Sequence, residues 1–234
     1  MSDIIKKEDA SFSLTKGKLA ATKTGFRQRI EEAKARPATE YPNRLALMLD
    51  RSGSMSGEPL KLLKEAVANF VQRCNFADTA IALRTFPAGV ALDLTNVGLI
   101  IESSAQAITA GGGTPMRECL QNCYDLPITR GIIVSDGCAT DWREFDDEYG
   151  DAVKNVLKPY IDKKIPIDCV HIGDSSSGEA LLQRIAELTG GLYIKFTDVS
   201  AFSSAFAYLT PGYRAMLTDG TIDASKIGAK EINR

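Results

Sequence analysis

The sequence predicts an α/β fold: a doubly wound, mostly parallel central sheet with one antiparallel edge strand and helices on both faces. Three observations predict it. Short apolar runs alternate along the chain with segments whose apolar residues recur at helical spacing, the pattern of strand–helix units. Two of those runs, LALML and GIIV, stop abruptly at an acid-bearing loop, DRSGSM and SDG. One pair of runs is separated only by Pro87–Gly89, which reads as a hairpin and supplies the antiparallel edge.

The elements follow in order. Residues 1–40 carry nine Lys or Arg against six Asp or Glu, and read as a polar, basic arm. Leu19 to Ala35 can form a helix there, with Phe26 and Ile30 on one face. Pro37 and Pro42 punctuate the start of the main domain, expected over 41–210. Leu45 to Leu49 is the first strand. Pro59 suits a helix's first turn, and Leu63, Val67, Phe70 and Cys74 then recur at helical spacing. Thr79–Phe86 and Val90–Thr95 are strands, and Val97–Ile108 is read as a helix. After Gly111–Gly113 comes a helical pattern through Leu120 and Tyr124, then a strand over Arg130–Val134. The acidic segment Asp141–Asp151 runs into a helix through Val153, Leu157 and Ile161; such a run reads as a solvated surface, part of it able to rim a neighbouring site. Strand Ile165–Ile172 and helix Gly178–Leu188 follow, the helix stopped by Gly190–Gly191. Leu192–Phe196 is the last expected strand and Val199–Leu209 the last helix. Pro211 and Gly212 open a polar tail over 211–234.

Composition narrows the function. A hydrophobic share of 44% is enough for a sizeable core. The 28 basic and 30 acidic residues nearly cancel, which argues against general nucleic-acid binding, since that needs a basic face. No stretch approaches the roughly 20 apolar residues of a membrane span. The N-terminal stretch lacks an apolar signal-peptide core, and five cysteines are an odd number for a disulfide framework. The expected setting is therefore cytoplasmic. The single histidine, His171, sits in an apolar run and reads as core.

The chemistry concentrates at three strand-end loops. The first offers Asp50, Ser52 and Ser54 at alternate positions, with Gly53 permitting a tight turn. The glycine-rich loop offers Thr114, for which a helix cap is the alternative reading. The SDG loop offers Asp136. In open α/β sheets, ligands bind at the carboxyl ends of strands, so these oxygens can converge. A few hydroxyls with one or two carboxylates suit a hard cation such as Mg²⁺, which keeps several waters. The three glycines lack the lysine of a phosphate-binding loop, and no G-x-G-x-x-G follows the first strand. A hydrolase using Asp50 as nucleophile would want a second Asp at position 52, where Ser52 stands, and a general base. A scaffold with a vestigial site is the further alternative.

DRSGSM, GGGTP and SDG, in that order, resemble the von Willebrand factor A (VWA) family with its metal-ion-dependent adhesion site, over roughly Asn43 to Leu209. GGGTP and SDGCATDW look most like cytosolic bacterial VWA proteins, including those associated with tellurium resistance; a bacterial or phage source is implied. The resemblance implies a Rossmann-like fold and a non-enzymatic, metal-dependent protein-interaction module. It implies Mg²⁺ held directly by Ser52 and Ser54, with Asp50 and Asp136 acting through waters or hydrogen bonds. Thr114 would bind directly or through water. A partner's Glu or Asp would complete the coordination. Mn²⁺ should substitute for Mg²⁺, and Ca²⁺ less well. An AAA+ ATPase or another protein of a stress-response operon is the implied partner.

Overall fold

The computed structural model describes residues 36–137, 139–142, 151–172, 176–196, 201–202, 205–212, 214, 219–221 and 223–233. The arm at 1–35 and the acidic stretch 143–150 lie outside them. Residues from Ala38 onward form one compact unit.

Among the described residues, seven strands form a single sheet: β1 (Asn43–Asp50), β2 (Thr79–Phe86), β3 (Ala91–Thr95), β4 (Arg130–Ser135), β5 (Ile167–Ile172), β6 (Tyr193–Phe196) and β7 (Glu231–Asn233). Their spatial order is β3-β2-β1-β4-β5-β6-β7. β2, β1, β4, β5 and β6 are mutually parallel. β3 is the expected antiparallel edge, joined to β2 through the Pro87–Gly89 turn. β7 adds a second antiparallel edge on β6. It comes from the stretch expected as a tail, and three residues are too few to show a strand period in sequence.

Each central strand is covered on both faces, which explains its continuous apolar run. Odd positions of β1 (Leu45, Leu47, Leu49) enter a core with Leu63, Val67 and Phe70 of helix α1 (Glu58–Arg73) and Ile101 and Ala105 of α2 (Gly98–Gln106). A 3-10 turn, Phe206–Leu209, closes that core, with the Phe70 and Phe206 rings 5.1 Å apart. Even positions (Ala46, Met48) enter a second core with residues of α3 (Met116–Asn122), α4 (Asp151–Asp162) and α5 (Ser176–Thr189). Burying each large aliphatic or aromatic side chain contributes about 1.5–3 kcal/mol before entropy is counted. Of the last expected helix, the described residues 201–202 and 205 are α-helical, and Phe206–Leu209 ends it as a 3-10 helix. His171 is buried in β5, with its Nδ1 3.1 Å from the Tyr193 hydroxyl.

The chain leaves β1 toward β2 on one side and returns to β4 on the other. The direction of winding therefore reverses between β1 and β4, and a crevice opens at their carboxyl ends. β1 ends at Asp50 there, and β4 ends at Ser135, just before Asp136.

Candidate metal centre at the β1–β4 crevice

Asp50 is fully buried at the end of β1, and both its carboxylate oxygens are engaged. Oδ1 accepts the Ser52 amide at 2.8 Å, and Oδ2 accepts the Ser135 hydroxyl at 2.6 Å. Ser52 then starts a 3-10 turn, Gly53–Met55, which Met55 pins by lying fully buried in the core under α1. This turn carries the two serine hydroxyls to the crevice. Ser52 Oγ and Ser54 Oγ lie 3.0 Å apart, and Ser54 Oγ donates to Asp136 Oδ1 at 3.0 Å. A continuous line of oxygen atoms thus links Ser52, Ser54 and Asp136, with Asp50 held below.

Thr114 joins through its loop. Gly53 N donates to Gly112 O at 3.0 Å, and Gly111 N donates to Arg51 O at 2.7 Å. Gly112 has φ +85°, and an added Cβ would lie 2.9 Å from Pro87 Cγ, so only glycine fits the approach of this loop to the β2–β3 turn. Thr114 itself is clasped by Thr140: its amide donates to Thr140 Oγ1 at 3.1 Å, and the Thr140 amide donates back to Thr114 O at 2.9 Å. The capping role that the sequence leaves open for Thr114 belongs to Asp141. Asp141 Oδ2 accepts the Glu118 amide at 2.9 Å in the first turn of α3.

Both carboxyls of the pair are pushed up. Burial pushes the Asp50 carboxyl above its ordinary range. The hydrogen bonds from Ser135 and Ser52 oppose that rise, and the nearby Asp136 charge adds to it. Burial also raises Asp136, against the Ser54 hydrogen bond. Among the described residues no three His, Cys, Asp or Glu side chains gather as a metal cage. A cation here would therefore rest largely on hydroxyls and waters. Four of the five residues expected from sequence are joined by hydrogen bonds, and Thr114 is brought in by its loop. Ser135, Thr140 and Arg51 were not expected. Ser135 precedes Asp136 in SDG and, like Asp50, stands one residue past the Leu49–Val134 pair, but only strand pairing shows it.

The model of the von Willebrand factor type A domain matches residues 43–194. The chain belongs to the von Willebrand factor type A family. Solved structures share the fold at low identity. A von Willebrand factor type A protein from Catenulispora acidiphila is 20% identical with a TM-score of 0.58, over 72% of this chain and 42% of that one. The vWF domain of the type V pili tip protein Mfa5 from Porphyromonas gingivalis is 14% identical with a TM-score of 0.56, over 78% and 97%. The pilus adhesin SpaC from Lactobacillus rhamnosus GG is 14% identical with a TM-score of 0.60, over 76% and 30%. The chain thus spans about two fifths of the Catenulispora protein and less than a third of SpaC. No curated protein matches it. No helix among the described residues is long and apolar enough to cross a membrane.

Proposed function

We propose that this VWA domain is a divalent-metal-dependent protein-interaction module, binding Mg²⁺ at the β1–β4 crevice and, through it, a carboxylate of a partner protein. The observation that carries the reading is the oxygen line Ser52–Ser54–Asp136 above the buried Asp50. Octahedral Mg²⁺ holds oxygen at about 2.1 Å, which places neighbouring ligands about 3.0 Å apart. The two spacings in the line are 3.0 Å each, so the serine pair fits an edge of that octahedron. Ca²⁺, with longer bonds, would spread the same oxygens to more than about 3.2 Å.

Ser52 and Ser54 are the residues to ligate directly. Each hydroxyl can offer a lone pair to the ion while its hydrogen is donated elsewhere, as Ser54 donates to Asp136. Both Asp50 oxygens are already engaged, so Asp50 orients Ser52 and balances charge, and Asp136 acts through Ser54 or water. With the carboxylates one step removed, the ion keeps positive charge toward solvent and attracts an anion. The N-terminus of α1, at Glu58, follows directly on the serine turn and favours the same sign of ligand. A Glu or Asp of the partner completes the coordination. The pilus-associated relatives, including one titled an adhesin, agree with an interaction role. A catalytic reading has less support: the one histidine is buried in β5 with its Nδ1 3.1 Å from the Tyr193 hydroxyl.

The test is isothermal titration of Mg²⁺ and Mn²⁺ into metal-free protein, with and without acetate as a stand-in for the partner's carboxylate. Saturable binding by the wild type, tightened by acetate and lost in Asp50→Ala and Ser52→Ala, is expected, with Ca²⁺ weaker. Capture of a partner that survives excess chelator would overturn metal dependence. So would the absence of binding in both buffers.

A further inference from the structure

Arg51 fills the first of the two unspecified positions in D-x-S-x-S, and no ligand role falls to it. Its neighbours Asp50 and Ser52 face the crevice. Its own side chain instead reaches the turn between β2 and β3 and the loop ahead of Thr114. Nε donates to Pro87 O at 2.9 Å, Nη2 to Ala88 O at 2.9 Å and Nη1 to Thr109 O at 2.8 Å. Its backbone adds two more bonds: Arg51 N donates to Phe86 O at 2.9 Å, and Arg51 O accepts Gly111 N at 2.7 Å. Three separate segments, 50–54, 86–89 and 109–113, thus meet on one residue. Gly89 is part of the same fitting, because a Cβ there would lie 2.6 Å from Arg51 Nε. The planar fork of a guanidinium can serve three carbonyls at fixed angles, which a lysine ammonium on a flexible stem does not reproduce.

We propose that Arg51 is the positioning residue of the site, stapling the serine loop to the Thr114 loop through the β2–β3 turn and so fixing the spacing between Ser52, Ser54 and Thr114. The proposal rests on the Mg²⁺ reading of the crevice. It treats Arg51 as acting through loop geometry, with no contact to the ion. Groups that orient a metal site from behind its ligands typically change affinity by about 10- to 100-fold when removed.

Two variants remove the staple by independent routes. Arg51→Ala deletes the guanidinium, and Gly89→Ala leaves Arg51 in place but drives its Nε off the turn. Each should weaken Mn²⁺ and Mg²⁺ binding by at least about 10-fold in titration, and the double variant should be no weaker than the poorer single one. Arg51→Lys should not rescue. Thr114→Ala should cost less affinity in the Arg51→Ala background than in the wild type, a coupling that general destabilisation would not produce. In metal-free protein, amide exchange at Gly53 and Gly111 should accelerate in both single variants. Unchanged affinity in both, or additive losses, overturns the role toward the ion. Unchanged exchange at Gly53 and Gly111 overturns the staple itself. A wild type that binds no divalent ion overturns the Mg²⁺ reading and Arg51's role toward an ion with it, and the exchange measurement then decides the staple alone.

Discussion

At the carboxyl end of β1, Asp50 meets only an amide and neutral hydroxyls. At the amino end of β5, Asp168 lies between two guanidinium groups. Both aspartates are fully buried. Arg130 Nε donates to Asp168 Oδ2 at 2.6 Å, and Arg214 donates through Nε and Nη2 at 2.9 Å each, a two-pronged grip. The Leu192 amide adds a bond at 2.8 Å. Arg130 also donates to Leu209 O at 2.8 Å, so the triad ties β4 and β5 to the chain beyond the 3-10 turn. Burial works against the Asp168 charge, yet Arg130, Arg214 and the amide together hold its carboxyl below the ordinary range. Burial likewise lowers Arg130, to about 10. The structural carboxylate finds its cations within the chain. Asp50 has none among the described residues, and its carboxyl is raised. A buried acid with a raised pKa and no internal cation is the kind of group that functional sites use.

The largest effect that would break the comparison is at Asp168. Asp168→Ala leaves Arg130 buried without its anion and should cost about 3–5 kcal/mol, read by denaturant unfolding, with Mg²⁺ affinity of the folded chain unchanged. The same triad sets a pH signature. The folded pKa of Asp168 lies below its ordinary value of 3.8. Its contribution is therefore present above that value and lost as the pH falls through the folded value. Unfolding of wild type and Asp168→Asn should differ most at neutral pH and converge in acid.

Ser135→Ala removes the hydroxyl that Asp50 Oδ2 accepts. A hydrogen bond to a charged group is worth about 1.5–3 kcal/mol, and this loss should appear in stability together with weaker Mg²⁺ binding by titration. Asp50→Asn sharpens the contrast further. It removes a buried charge that has hydrogen-bond donors but no cation beside it among the described residues, so the metal-free chain should change by less than about 1 kcal/mol or gain stability, while Mg²⁺ binding is lost. Large destabilisation of metal-free Asp50→Asn would show that Asp50 is structural in the way Asp168 is. The smallest effect is a control on the surface: Lys158 and Asp162 pair at 2.8 Å with most of both side chains exposed, and Lys158→Ala should shift stability by no more than about 0.5 kcal/mol.

The two aspartates also separate what could be read from sequence. Asp50 stood out because its companions Ser52 and Ser54 lie within four residues, and because an apolar run ended on it. Asp136 could be added because it follows a predicted strand end, and Thr114 because it closes a glycine-rich loop just as a helix begins. Asp168 gave no such signal: it sits inside an apolar strand, and its cations are 38 and 46 residues away. The parallel order of the central strands was legible in the alternation of strand and helix. The three-residue β7 was not, because its pairing comes from β6 alone.

The sequence by itself determined the alternating α/β elements, the apolar strands covered on both faces, and the oxygen-bearing residues gathered at strand ends. These follow from local periodicity and from side-chain chemistry, which travel with the residues. Only the tertiary structure decided how the oxygens are held. The Ser135 hydroxyl reaches Asp50 across 85 residues, Thr140 clasps Thr114 across 26, and Arg51 gathers carbonyls from positions 87, 88 and 109. A hydrogen bond depends on distance and angle between atoms that chain order leaves free. Strand pairing and loop packing had to bring those atoms together before the crevice could become a site.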